Sequence, residues 1–500
     1  MKKIFAILTV LLGLFSGCED VLEKTPYIGI PEDEMFKDAE GAQGALMGVY
    51  NSITHYNYYG RLIYAYEGAK GPDFYVENTG NRFEKENAYD ESSSSGGYAP
   101  DAWKKIYSTV RQCNSLLANI EIIEGDADEL RRIKGEALAI RGLAYFDLMR
   151  LFAYPPIFSC PDGEKYQEKY KMGVPLIITM KQTHGIPDNP PGRDDAVKCY
   201  DQIISDFTAA TKNLEGITPE KGKVSYQAAQ ALLARAYLYL GQWDNARIAG
   251  EAALAEGGEM LVYGAYKTDY YKAFNDENIW ELGYITSDNL STNALNYLVR
   301  YPTIDSPGAP NDGEVADNVG YAGYNGNKYL KEVLRAIPSD VRSYLICNNR
   351  GGKEQGIRKY VGTEAHYLHN ITMVRLPEVI LTVAEAYAEL KNLPKAEEYF
   401  NMVYSKRTGL EYTATAQEQT IKDILNDRRK ELVLEGHTYW DYFRRAIPFT
   451  REAEGEVDEE KAYIDYSMPQ VVYPIPQSEM DANPNIRNQQ NPGYAAYVTD

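Results

Sequence analysis

From Ser225 the chain reads SYQAAQALLARAYLYLGQWDNARIAGEAALAEGG, and its apolar and small residues return every three or four positions. Ala228, Ala231, Leu232, Arg235, Ala236 and Tyr239 keep helical spacing, which predicts a helix that Gly241 breaks. A second helix is predicted from Asp244 to about Ala255. Ala234, Tyr237, Gly241, Trp243, Ala246 and Ala253 match the tetratricopeptide pattern, in which small side chains let two helices approach and an aromatic fills the elbow. The pattern returns from Pro377 to Arg407, with Ala384, Tyr387, Leu393, Ala396 and Phe400 in equivalent places and Lys391 where the turn glycine stood.

Two further long helices are predicted at 128–151 and 194–214, as a pair split by an irregular insert. Residues 101–123 and 38–53 are also helical by pattern. A lone helical pair cannot bury a core, but a stack of three or more can. The expected fold is therefore mainly α, with helical pairs drawn from about 38–53, 101–151, 194–258 and 375–445 in one unit spanning 18–500.

The segments 56–100 and 284–327 break this rhythm. They are rich in Gly, Asn, Asp, Ser and Tyr with weak periodicity, and are expected to be irregular. Loops of such length inside a compact protein are usually functional or disordered, and abundant aromatics argue for order. The end of the chain, 468–500, is expected to be coil. Composition sharpens this picture, because 43 tyrosines stand against 13 phenylalanines and 4 tryptophans. Phenylalanine would fill a core equally well, so the excess suggests rings with one wet edge. Packing between helices accounts for most of them.

The formal net charge of −20 argues against nucleic acid and anionic lipid as partners. Five cysteines are present. Cys113, Cys160, Cys199 and Cys347 are widely spaced without a C-x-x-C pair, which speaks against a disulfide scaffold and a zinc site and leaves room for one or two bridges in an oxidising compartment. Lys2 and Lys3 precede a short apolar run, Ile4 to Phe15, well below the roughly 20 residues that span a bilayer. Leu14-Phe15-Ser16-Gly17-Cys18 is similar to a bacterial lipobox, with Phe15 where leucine is usual. The reading is a signal peptide over 1–17 and a lipid anchor on Cys18, with acyl chains such as palmitate; the competing reading is an ordinary secretory signal. Glu19 and Asp20 resemble a surface-export tag.

Several segments together resemble the SusD/RagB family of nutrient-binding outer-membrane lipoproteins. They are AEGAQGALMGVYNSI; then Trp103, Tyr107 and Asn114; then Arg375, Glu378 and Ala384-Glu385-Ala386. A stretch expected as one helix, RRKELVLEGHTYWDYFRR, follows with Arg428, Arg429, Glu431, Glu435, Gly436, Trp440, Asp441 and Arg444. Tyr473-Pro474-Ile475-Pro476, Asn483-Pro484 and Gln490-Asn491-Pro492-Gly493-Tyr494 close the series. The resemblance implies about four tetratricopeptide-like pairs, a ligand site in the irregular parts, and a TonB-dependent, SusC-like transporter as partner. Arg428, Glu431, Glu435 and Arg444 are read as salt-bridging residues, and Trp103 and Trp440 as core anchors.

No cofactor, metal or catalytic residue is expected. Phosphate-binding, nucleophile-elbow and metalloprotease signatures are absent. His366 and His369 have only Glu364 nearby, and pairs such as Glu67 with Asp73 or Asp90 with Glu91 are expected by chance among 72 acids. The candidate binding residues are Tyr58, Tyr59, Tyr75, Asn81, Arg82, Tyr89 and Tyr98 in the first segment, and Tyr284, Asn296, Tyr297, Tyr301, Tyr321 and Tyr324 in the second. Rings stack on the C–H face of a sugar while amides bond its hydroxyls. The leading expectation is a surface protein that captures an oligosaccharide. The alternatives are an oligopeptide binder, a glycan-cleaving enzyme and a protein–protein scaffold.

Overall fold

The computed structural model describes residues 32–77, 79–95, 97–179, 190–299, 320–348, 354–360, 368–451 and 462–497. The expected anchor, Cys18, lies outside them, as do Tyr301 and His366.

Helices dominate. The first long ones are α1 (Ala39–Ile53), α2 (Leu62–Lys70), α3 (Ala99–Asn119) and α4 (Ala127–Phe152). Then come α5 (Ala196–Leu214), α6 (Tyr226–Tyr239), α7 (Trp243–Ala255), α8 (Leu295–Val299), α9 (Leu376–Glu389), α10 (Leu393–Thr408), α11 (Gln417–Glu431) and α12 (Thr438–Arg444). Their starts have local causes. Asp38 accepts from the Gly41 amide, Asp126 from Asp128 and Glu129, and Ser225 from Ala228, so side-chain oxygens meet N–H groups that have no helical partner.

The pairs stack as the repeat pattern predicts. α1 packs on α3, α4 along α5, α6 along α7, and α9 along α10, while α7 lies against α9 and joins the pairs into one array. A Cβ on Gly250 would come within 2.5 Å of Val383 Cγ2, so glycine permits this close α7–α9 approach. Gly241 ends the α6 turn at φ 66°, and Lys391 adopts the same left-handed conformation at φ 63°. The second repeat thus keeps the turn geometry without the residue best suited to it.

Buried ion pairs tie the helices across the array. Arg141 on α4 grips Asp206 on α5 at 2.6 and 2.8 Å, and Arg235 on α6 grips Glu378 on α9 at 2.6 and 2.7 Å. A larger network surrounds Glu431. Its carboxylate meets Arg342 at 3.2 Å, Arg375 at 2.9 Å and Arg407 at 3.0 Å. Glu435 meets Arg375 at 2.8 Å and Lys359 at 2.5 Å. Burial pushes the Glu431 carboxyl up, but the three guanidiniums outweigh it and hold it well below the ordinary range. Glu431 and Glu435 are ion partners, as read from the sequence, though the groups they meet come from distant segments.

Two local expectations are corrected. The stretch from Arg428 to Arg444 is two helices, α11 and α12, separated by a turn in which Leu434 and Gly436 take φ 57° and 77°. Six intervening residues, LVLEGH, are buried and turn the chain, so tertiary burial overrides their helical pattern. The segment 56–100 also contains a true helix, α2, whose nine residues are all buried. A helix buried on every side leaves little amphipathic rhythm to read.

Trp103 and Trp440 are core residues at 5% and 3% exposure. The Trp440 indole donates to the Arg150 carbonyl, and that of Trp103 to Glu479. The chain end locks onto α4: the Tyr473 amide donates to Leu151, and Asn491 donates to Phe152 and Tyr473.

Candidate ligand-binding face

The two ring-rich segments meet. β1 (Phe74–Val76) pairs antiparallel with β2 (Tyr324–Gly326), placing Tyr75 opposite Asn325. Around this joint the Asn327 amide donates to the Asp73 carbonyl at 2.9 Å, and the Glu77 amide to Gly323 at 2.9 Å. A Cβ on Gly323 would lie 2.2 Å from Thr79 Cγ2, so a side chain there would separate the segments. Tyr284 donates to the Thr54 carbonyl at 2.6 Å and closes the far side.

A cluster of rings and guanidiniums lies at this junction. His55 stacks on Tyr56 with centroids 4.2 Å apart, and Phe83 on Tyr98 at 4.3 Å. The Arg61 guanidinium lies between these groups, 5.0 Å from the Tyr56 centroid, 5.2 Å from Tyr98 and 5.7 Å from Phe83. Arg82 covers Tyr321 at 4.5 Å, and Tyr321 meets Tyr297 edge-on at 5.6 Å. Arg61 also reaches across to the Asn293 side chain at 3.4 Å. The backbone here is unusual: Asn81, Phe83 and Ala322 have φ 64°, 58° and 53°. Such conformations cost about 1–3 kcal/mol each and persist only where surroundings impose them.

The sequence candidates divide by burial. Asn81 is exposed, and Arg82, Tyr98, Tyr284, Tyr297 and Tyr321 are half-buried at or beside this face. Tyr58, Tyr59, Tyr75, Tyr89, Asn296 and Tyr324 are buried, which corrects the expectation that they present groups to solvent. Their placement has physical reasons: Tyr58 donates to Asp147, Tyr89 to the Lys70 carbonyl and Tyr324 to the Ala65 carbonyl, so these phenols satisfy core acceptors. Sequence reasoning missed Tyr56, Arg61, Phe83 and Asn293. Arg61 carried a usable signal, a lone charge inside the apolar run from Tyr58 to Tyr66.

Arg61 and Arg82 share the face with Glu86, whose carboxylate accepts from the Tyr98 amide at 2.7 Å. Burial, then Lys105 and Arg61, push His55 below its ordinary value, so it is neutral at pH 7. Burial raises the Tyr98 phenol while Arg61 and Arg82 pull it down. A cleft of about 730 Å³ lies elsewhere, beside the α6–α7 turn, with Tyr237, Trp243 and Arg445 in its wall. Arg445 is there engaged by Glu389 at 2.5 Å. Glu67 and Asp73 do not form an acid–base pair open to solvent: both are buried, and Asp73 is gripped by Arg429. Among the described residues, no cluster of His, Cys, Asp and Glu could hold a metal, and no helix is long and apolar enough to cross a membrane.

Known proteins share both sequence and architecture with this chain. The SusD family model matches residues 348–494, and a second, described as starch-binding associating with outer membrane, matches 22–238. The chain belongs to the SusD/RagB family. SusD-like protein P38 of Formosa agariphila is 24% identical over 498 residues, covering 88% of this chain and 90% of its own length. A SusD superfamily protein from Bacteroides thetaiotaomicron superposes with a TM-score of 0.78 at 29% identity, covering 91% of this chain and 100% of its own. Another from Bacteroides vulgatus gives 0.80 at 26% identity, covering 92% and 100%. The stretch matched by the SusD family model, 348–494, contains Arg375, Glu378, Arg407, Arg428, Glu431 and Glu435 of the buried ion pairs.

Proposed function

We propose that this SusD-like chain is a cell-surface binding protein that captures an oligosaccharide and passes it, chemically unchanged, to a TonB-dependent, SusC-like transporter of the outer membrane. The observation that carries this reading is the junction of the two ring-rich segments into one face on a rigid helical array. Rings with half-exposed edges offer stacking surfaces for sugar C–H faces, and the neighbouring amides Asn81 and Asn293 offer directional bonds to hydroxyls. The description of the family model matching 22–238 supports carbohydrate as the ligand class and the outer membrane as the location.

Attachment through Cys18 would hold the face at the membrane, since each buried methylene of an acyl chain contributes about 0.8 kcal/mol. The test is retention of glycans on the purified chain with product release monitored in the same reaction. Retention without new reducing ends supports capture, whereas turnover abolished by changing one carboxylate would replace it with hydrolysis. A peptide panel run alongside separates the oligopeptide alternative. Labelled palmitate incorporated into the wild type and lost in Cys18→Ser tests the anchor, and co-purification of an outer-membrane barrel protein tests the hand-off.

A further inference from the structure

Arginines buried in this chain are matched almost everywhere by acceptors suited to them. Arg141, Arg235, Arg342, Arg375, Arg407 and Arg444 each meet at least one carboxylate at 3.0 Å or closer. Arg193 lacks a carboxylate but donates to the carbonyls of Gly173, Gln489, Phe152 and Met172. Arg61 differs. It is 2% exposed, its one side-chain hydrogen bond among the described residues is the long contact to Asn293, and its Nε has no partner. Three aromatic faces surround it instead. Cation–π contacts contribute about 0.5–2 kcal/mol, less than the several kcal/mol that an ion loses on leaving water. Arg82 then adds like charge. It bonds only the Thr79 and Gly80 carbonyls and forms no ion pair among the described residues. Burial first, and then the field of Arg82, oppose the charge on Arg61.

We infer that the glycan bound here is acidic, and that a uronate carboxylate or a sulfate ester docks between Arg61 and Arg82. This rests on the reading of the face as a glycan site and narrows it. An anion supplies what both guanidiniums lack, and charge-assisted bonds to a guanidinium are roughly twice as strong as neutral ones. The flanking rings Tyr56 and Tyr98 are half-buried, so their rotation would open Arg61 to a ligand. The overall charge of −20 repels anions, so a site of this kind selects acidic chains by local contact and not by long-range attraction.

The test is calorimetric titration of the full chain with four probes: an oligogalacturonate, its carboxyl-reduced counterpart, a sulfated galactan oligosaccharide and its desulfated counterpart. One acidic probe is expected to bind at least about tenfold tighter than its neutral counterpart, with affinity falling as salt rises and screens the contact. Which acidic probe wins separates uronate from sulfate. Arg82→Gln is expected to reduce that affinity about five- to tenfold at unchanged melting temperature, and Arg61→Met to reduce it further. Because Arg61 is buried and its replacement can disturb folding, the half-exposed Arg82 carries the decisive comparison. Neutral and acidic partners bound equally would overturn the inference while leaving the glycan site intact. Failure to bind any of the four or any wider glycan panel would remove the underlying reading, and retention of acidic peptides alone would reassign the ligand class.

Discussion

Around Glu431 each buried guanidinium rests on carboxylates, whereas at the junction of the ring-rich segments Arg61 rests on aromatic faces. Both settings hide positive charge from water, but only the first returns the lost hydration through close opposite charge. The first setting joins α11 to strands and helices far away in the chain, and its charges are consumed in holding them. The second leaves donor capacity unspent. Within one fold, then, the charges around Glu431 serve the scaffold, and the unspent donors of Arg61 are where we propose that a ligand adds free energy.

The strongest way to break this contrast is to remove the hub. Glu431→Gln leaves Arg342, Arg375 and Arg407 with too little negative charge, and is expected to cost about 3–5 kcal/mol in chemical denaturation. Unchanged stability would show that the network is not what holds α11 in place.

A buried acid without a cation gives the opposite pH behaviour. Glu67 accepts from the Gly436 amide, and burial, followed by the charge of Asp73, raises its carboxyl to about 8. The folded chain keeps this proton while the unfolded chain releases it at lower pH. Its contribution is therefore complete in acid and is lost as pH rises towards 8, at up to about 1.4 kcal/mol per pH unit. Glu67→Gln is expected to flatten that alkaline limb in denaturation curves taken from pH 5 to 9. Glu431, Glu435 and Asp441, whose acidities are strengthened by arginines and Lys359 in spite of burial, lose their contribution in the other direction, as pH falls.

A third change converts one setting into the other. Asn293→Asp puts a carboxylate 3.4 Å from Arg61. Stability is expected to rise by about 1 kcal/mol, and affinity for an acidic glycan to fall, as measured by thermal melting and titration. Smallest is a comparison of the repeat turns. Lys391→Gly is expected to stabilise by about 0.5–1 kcal/mol by relieving the left-handed strain at φ 63°, and Gly241→Ala to destabilise by a similar amount.

The helices were legible because their sequences repeat the geometry of a turn. Ala228 to Tyr239 and Pro377 to Arg407 show a periodic face, and the observed α6, α9 and α10 follow it closely. What failed to show in sequence had no periodic face: α2 is buried all round, and LVLEGH between α11 and α12 is bent by packing around it. The face was legible as a composition of rings and amides in two segments, but not as a set of positions. Tyr58 and Tyr98 look alike in sequence, yet one donates to Asp147 in the core and the other stacks on Phe83 with its edge towards solvent.

By itself the sequence determined the helical pairs, the family resemblance and the two segments that depart from helical rhythm, because period, turn residues and composition act over a few neighbouring positions. Only the tertiary structure decided that β1 meets β2 across some 250 residues of chain, that Glu431 gathers three arginines, and that Arg61 has none of the carboxylates that surround those three. Those outcomes depend on which distant groups share a desolvated space, and no local spacing encodes that.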